Sequence, residues 1–277
     1  MTRKITLLAA FAATIFSIVG FSSCKQKFPA VRQNGKTAIV AHRGAWKYEE
    51  AGFSQNSIAS LAYAQKLGLW GSEFDLHLTA DGQILVFHDD KIKKVRIDTV
   101  DASHWDSYRL PNGEKIPTLD EYLTQGEKSD KTILVCELKK HYYPEKEIEL
   151  VDKTVAALKA HGLFTPSRVI FISFSKRMCD KIAREYPKFV VQYLNGEIPP
   201  EQLAQTGING FDYERKEVYA APQWIKEAHK LGMSTNSWTI NKAEHIRQLI
   251  DWGIDAITTN EPLLTREILG EKEFKLD

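Results

Sequence analysis

Eight short runs rich in β-branched and apolar residues recur along the chain, and segments long enough for a helix separate most of them. They are Thr37–Ala41, Ser72–Leu78, Thr132–Leu138, Arg168–Phe174, Phe189–Leu194, Ile208–Tyr213, Met233–Trp238 and Asp255–Thr259. One separator, Pro144–Ala160, opens on proline and has Gly162 just past its end, the usual punctuation of a helix. Strands joined by helix-length crossovers pair in parallel. Eight of them in about 250 residues predict an α/β fold, a single (β/α)8 TIM barrel.

One connection breaks the alternation. Ile84–Phe87 follows the second run after only Thr79-Ala80-Asp81-Gly82-Gln83, too short for a parallel crossover. Asp81-Gly82 is a hairpin signal, so an extra β-hairpin is expected after the second strand. With those two as the turn residues, Ala80 pairs with Gln83 and His88 falls opposite Asp75. Period-two alternation puts Glu73, Asp75 and His77 on one face, and Phe74, Leu76 and Leu78 on the other.

Two further strand ends carry charge. The third run finishes Cys136-Glu137-Leu138-Lys139, with Glu137 and Lys139 on one side, and the first finishes His42-Arg43-Gly44. A Glu–Lys pair ending one strand is usually just solvated. Here it coincides with two other clusters, and the carboxyl ends of barrel strands form the active-site face.

Carboxylates converging without a cysteine or histidine pair suit one hard divalent cation, Ca²⁺ or Mg²⁺. Arginine and lysine beside them suit a phosphate, and two histidines can divide base and acid roles. Together these predict metal-assisted cleavage of a phosphodiester. Lys plus Arg number 37 against 36 Asp plus Glu, so there is no basic footprint for nucleic acid. The 3 cysteines form no C-x-x-C pair.

The motifs run in order from Ala41-His-Arg-Gly44 through Ser54-Gln-Asn-Ser57, Glu73-Phe-Asp75 and Leu78-Thr-Ala-Asp-Gly82 to Val86-Phe-His-Asp89. They continue with Ile116-Pro-Thr-Leu119, Cys136-Glu-Leu-Lys139, Ser173-Phe174, Trp238-Thr-Ile-Asn241 and Gly253-Ile-Asp-Ala-Ile-Thr-Thr-Asn-Glu-Pro262. In that order and spacing the chain resembles the glycerophosphodiester phosphodiesterase family. The resemblance implies a TIM barrel with the extra hairpin and a short insertion. It implies metal ligation by Glu73, Asp75 and Glu137, and an acid–base pair of His42 and His88. Arg43 and Lys139 would contact phosphate, and Trp238 would line a glycerol pocket. The implied reaction is attack by the substrate's own glycerol hydroxyl, giving a cyclic phosphate that water opens to glycerol 3-phosphate. One departure is visible: Ser54-Gln55-Asn56 stands where the family usually has Pro-Glu-Asn, and a shift in substrate preference or metal affinity is expected.

The N-terminus reads as an address. Arg3 and Lys4 precede an uncharged run from Ile5 to Phe21, then Ser22-Ser23-Cys24 and Lys25. This pattern looks like a bacterial lipoprotein signal over residues 1–23, with Cys24 lipidated and residues 24–36 as a tether to a domain at 37–277. The expected location is extracytoplasmic, on the periplasmic side of an outer membrane. Cys136 and Cys179 are expected as buried free thiols, and His141, His161, His229 and His245 as surface residues. Trp105 and Tyr108 are expected as a small aromatic lid. Trp46 and Tyr48 could flank the substrate or cover the rim. Two alternatives remain open: the same chemistry on a sugar- or inositol-containing diester, and a lipoprotein that binds phosphodiesters without cleaving them.

Overall fold

In the computed structural model of the protein, which describes residues 31–270, eight parallel strands close on themselves. They are β1 (Lys36–Ala41), β2 (Gly71–Leu78), β3 (Ile133–Leu138), β4 (Val169–Ser173), β5 (Val190–Tyr193), β6 (Gly210–Glu214), β7 (Ser234–Trp238) and β8 (Ala256–Thr259). Each pairs with the next, and β8 pairs with β1 (Ile257 beside Ile39), completing the (β/α)8 barrel. No helix among the described residues is long and apolar enough to cross a membrane.

Local chemistry starts and stops the helices. The 17-residue helix Pro144–Ala160 has proline in its first turn, where a missing N–H costs nothing. Leu119–Gly126 opens on a reciprocal capping box between Thr118 and Glu121.

Strand alternation sorts the side chains into two layers. Phe74, Leu76, Leu78, Cys136, Leu138, Phe171, Phe211 and Tyr213 point outwards to pack under the helices. Val40, Val135, Ile170, Ile172, Val190 and Ala256 fill the barrel interior. Each such aliphatic or aromatic side chain contributes about 1.5–3 kcal/mol on burial. At the carboxyl ends of the strands the interior set turns polar and charged, and there the site lies.

The extra hairpin exists, but its register is one residue away from the expected one. Leu76 pairs with Val86 and His77 with Leu85, so Phe87, not His88, stands beside Asp75, whose carbonyl accepts the Phe87 N–H (3.0 Å). The turn holds three residues rather than two. Thr79 and Gln83 close it, Thr79 Oγ1 accepts the Gln83 N–H (3.0 Å), and Gly82 takes a left-handed conformation (φ 77°). One added turn residue slips every pair by one.

Two other expectations change. Part of the expected tether packs on the barrel: Asn34 (φ 51°) and Gly35 (φ 78°) turn Arg32–Gln33 back onto β1, and Arg32 Nε donates to Asp255 (2.6 Å). Both turn residues have the positive φ that a two-residue hairpin requires. Trp105 is no lid; it is buried with Leu85, Ile92, Ile97, Leu110 and Ile116 in a satellite core beneath the insertion, and Tyr108 packs against that core. The insertion uses these aromatics to hold itself together.

Candidate active site

Glycine permits the first part of the site. At Gly44 (φ 78°) a Cβ would lie 2.3 Å from Ser60 Oγ and 2.8 Å from the Ser60 carbonyl carbon, so the chain leaving β1 can pass the helix Ile58–Lys66 only as glycine. This close approach lets Gly44 N–H bond the Glu73 carbonyl (3.1 Å). Arg43 N–H donates to Glu73 Oε2 (2.7 Å). Arg43 itself sits at φ 57°, an uncommon conformation for a side-chain-bearing residue and one that clusters at functional sites.

Glu73, Asp75 and Glu137 come together as expected. All three are buried, and one carboxylate oxygen from each lies within 4.8 Å of the others. Asp75 and Glu137 are neighbours in the β2–β3 ladder. Glu73 Oε1 is buried without a hydrogen-bond partner. Burial, reinforced by Asp75 and Glu137, drives the Glu73 carboxyl well above its ordinary range. Burial likewise raises Glu137 to about 7, against the pull of Lys139. Asp75 goes the other way: Lys139, His88, Arg43 and the Asn56 hydrogen bond outweigh its burial and hold it well below a usual carboxylate. Carboxylates crowded this way, one with an orphaned oxygen, fit a hard cation with oxygen ligands.

Lys139 Nζ lies 2.7 Å from Glu137 Oε1 and 3.2 Å from Asp75 Oδ1. The two anions overcome its burial and raise its pKa, so it stays charged. Arg43 Nε is 3.8 Å from Asp75 Oδ2, while its Nη1 donates to Gln55 Oε1 (2.6 Å). The departure at position 55 thus has a location. A neutral acceptor orients the guanidinium without cancelling its charge, as a glutamate would.

His42 and His88 line one cleft with Arg43, Glu73, Glu137, Lys139 and Trp238. His42 Nδ1 meets Asn260 Oδ1 (2.9 Å), and Trp46 Nε1 donates to the same oxygen (3.0 Å). Burial, then the Arg43 charge, lowers His42 to about 4, so it is neutral at pH 7. His88 Nδ1 pairs with Asp89 Oδ1 (2.7 Å). Burial lowers its pKa also, with Asp75 pulling upwards. Trp238 donates its indole N–H to the Asp212 carbonyl (3.0 Å) and meets Phe174 edge-to-face, centroids 5.6 Å apart.

The residues holding this set in place are mostly ones whose roles the sequence did not disclose. Asn56 Nδ2 donates to Asp75 Oδ2 (2.8 Å), and its Oδ1 accepts the Asp75 N–H (3.2 Å). Asn241 Oδ1 accepts the Asn260 N–H (2.9 Å). His77 Nε2 bonds the His88 carbonyl (3.2 Å) and so supports that loop without entering the chemistry. His141, expected at the surface, is buried: its Nε2 accepts the Leu78 N–H (3.1 Å) and its Nδ1 donates to the Lys139 carbonyl (2.9 Å). Both ends of that ring meet backbone groups left over where β2 and β3 stop.

The three remaining histidines expected at the surface also have partners: His161 between Asp120 and Glu127, His229 with Asp255, His245 with the Tyr219 hydroxyl. Cys136 and Cys179 are buried free thiols, as expected, and burial pushes both pKa values up. Tyr48 packs against Tyr63 with the rings tilted by 53° and centroids 5.2 Å apart, whereas Trp46 serves Asn260. Cys24 and the apolar run before it lie outside the described residues.

The fold has solved counterparts. A glycerophosphodiester phosphodiesterase from Parabacteroides distasonis superposes with a TM-score of 0.82 at 40% identity, covering 85% of this chain and 97% of that one. A phosphodiesterase from Oleispira antarctica, solved with sn-glycerol-3-phosphate, shares the fold at TM-score 0.72 and 22% identity, covering 85% and 98% of the two chains. A Bacillus subtilis glycerophosphodiester phosphodiesterase is 27% identical over 261 residues, 83% of this chain and 85% of its own length. The model of the glycerophosphoryl diester phosphodiesterase family matches residues 42–264, from the first site histidine to beyond the last barrel strand. This chain therefore belongs to the glycerophosphoryl diester phosphodiesterase family.

Proposed function

We propose that the protein hydrolyses glycerophosphodiesters to glycerol 3-phosphate and an alcohol, with a divalent cation, Ca²⁺ or Mg²⁺, held by Glu73, Asp75 and Glu137. The observation that carries this reading is three buried carboxylates with an oxygen from each within 4.8 Å of the others, two of which, Glu73 and Glu137, line a cleft with His42, His88, Arg43 and Lys139. Ionised, as ligands to a cation are, the three carboxylates outnumber the two fixed cations by one charge. A divalent cation reverses that sign, matching the single negative charge of a phosphodiester. When bound, it would supply Lewis-acid stabilisation of charge on the phosphoryl oxygens.

The hydrogen bonds around His42 suggest how the two histidines divide the work. An indole N–H can only donate, so the Asn260 atom facing Trp46 is the amide oxygen. The His42 nitrogen on that same oxygen must then carry the proton. Nε2 keeps its lone pair, and the neutral ring is a ready base. In this reading His42 takes the proton from the attacking glycerol hydroxyl as the new O–P bond forms. His88, with Asp89 to support its charged form, gives a proton to the departing alkoxide. Water then opens the cyclic phosphate with the roles reversed, releasing glycerol 3-phosphate. Arg43 and Lys139 hold the phosphate oxygens throughout.

The test is glycerol 3-phosphate release from glycerophosphodiesters with different head groups, each with Ca²⁺, Mg²⁺ or chelator. Metal-dependent release that His42→Ala and Glu73→Ala both abolish is expected. Absence of release from every diester would refute the reading.

For location, we propose a lipid-anchored protein outside the cytoplasm, on the periplasmic side of an outer membrane. Its support is the sequence Arg3-Lys4, Ile5–Phe21, Ser22-Ser23-Cys24. Metabolic palmitate labelling that survives in the wild type and vanishes in Cys24→Ser is expected; equal labelling of both would exclude this anchor.

A further inference from the structure

The cleft holds one carboxyl group that this mechanism does not use. In β6, alternation sends Phe211 and Tyr213 outwards, where their rings stack at 4.7 Å, and turns Asp212 into the cleft. Asp212 is only 1% exposed, and neither of its carboxyl oxygens has a hydrogen-bond partner among the described residues. Buried polar groups are nearly always satisfied. An orphaned pair of oxygens facing an open cleft marks a place where a ligand brings the missing partner.

We infer that Asp212 binds a free hydroxyl of the glycerol moiety, making it a specificity-determining residue. The inference rests on the phosphodiesterase reading and extends it. Burial, reinforced by the charge of Glu137, pushes the Asp212 carboxyl well above its usual range. A carboxyl group accepts a hydrogen bond from a hydroxyl in either protonation state, and its protonated form also donates one. An alkylammonium group would instead need the ionised form. The nearby walls, Ile172, Phe174, Leu194 and Trp238, are apolar and suit the CH and CH₂ faces of a short polyol. The Trp238 N–H is already engaged by the Asp212 backbone carbonyl, which leaves the Asp212 carboxyl as the polar handle in that corner.

Calorimetry on the metal-loaded protein tests this with two probes, glycerol 3-phosphate and ethyl phosphate, which lacks the hydroxyls. Wild type is expected to prefer glycerol 3-phosphate by about tenfold or more. Asp212→Ala should erase that preference while leaving ethyl phosphate binding unchanged. Asp212→Asn should retain most of it, because an amide also donates and accepts. Melting temperature should hold or rise in Asp212→Ala, which removes an orphaned carboxyl. Should Asp212→Ala fail to melt cooperatively, Asp212→Leu, with the same γ-branched skeleton and no polar atom, must lose the preference instead. A preference that survives in Asp212→Ala overturns the inference alone. Loss in Asp212→Asn equal to that in Asp212→Ala also overturns it, because an amide keeps the donor and the acceptor on which the inference rests. A wild type that binds neither phosphate and releases no product brings down the phosphodiesterase reading and this inference with it.

Discussion

Asn260→Ala isolates the control of His42. Two donors, His42 Nδ1 at 2.9 Å and Trp46 Nε1 at 3.0 Å, converge on one amide oxygen, and truncation leaves both without an acceptor. Trp46 is half-exposed and can turn to water, so the stability loss should sit near the low end of about 1–3 kcal/mol for orphaned donors. The catalytic loss is larger. As His42 takes up a proton, its bond to Asn260 becomes charge-assisted, worth about 1.5–3 kcal/mol, so kcat should fall roughly 10- to 100-fold. KM should change little, because the bond strengthens only as the ring gains charge. Asn260→Asp supplies the sign. His42 must be neutral to act, so activity is lost as pH falls through its pKa, now about 4. A carboxylate at 260 favours the imidazolium and raises that pKa, moving the acidic limb of the kcat/KM profile to higher pH. Asn260→Ala removes a hydrogen bond that favours the charged ring, so its limb should move lower. Steady-state kinetics from pH 3.5 to 9 with circular dichroism at each point would decide it. A kcat within about twofold of wild type in Asn260→Ala, or an unmoved limb in Asn260→Asp, would refute the tautomer argument.

Three further outcomes follow from the geometry. Gly44→Ala puts a Cβ 2.3 Å from Ser60 Oγ at φ 78° and should cost about 2–3 kcal/mol in denaturant melts; an unchanged midpoint would mean that β1 and the first helix can separate freely. Glu73→Gln should raise the melting temperature of the metal-free protein by removing a carboxyl penalised by burial and by the neighbouring Asp75 and Glu137, and should abolish the stabilisation that added Mg²⁺ or Ca²⁺ gives the wild type; a metal response equal to wild type would exclude Glu73 as a ligand. Asn56→Ala frees Asp75 from two hydrogen bonds and should weaken metal affinity by about 10- to 100-fold in a calorimetric titration, whereas full affinity would show that Lys139 and Arg43 suffice to orient Asp75.

Much of this protein is written in one-dimensional pattern. The helix-length spacing of apolar runs specifies a parallel barrel because a parallel pair cannot be joined by a short turn. The five residues between Leu78 and Ile84 specify a hairpin by the same rule. Alternation assigned Glu73 and Asp75 to the face opposite Phe74 and Leu76, which the two packed layers reproduce. The candidate ligands and histidines were legible because charge at the ends of apolar strands is conspicuous.

The tertiary structure decided what depends on distances between residues far apart in the chain. Whether the hairpin turn held two or three residues was settled by Thr79 and Gly82, and with it whether His88 or Phe87 met Asp75. No periodicity announces that Asn260 must reach His42 and Trp46 across more than 200 positions, or that Asn56 must reach Asp75. His141 resembles any polar residue after a strand until the backbone ends of β2 and β3 enclose it. The neutrality of His42 and the isolation of Asp212 likewise exist only once neighbouring strands exclude water, because desolvation belongs to the assembled barrel and to no stretch of sequence.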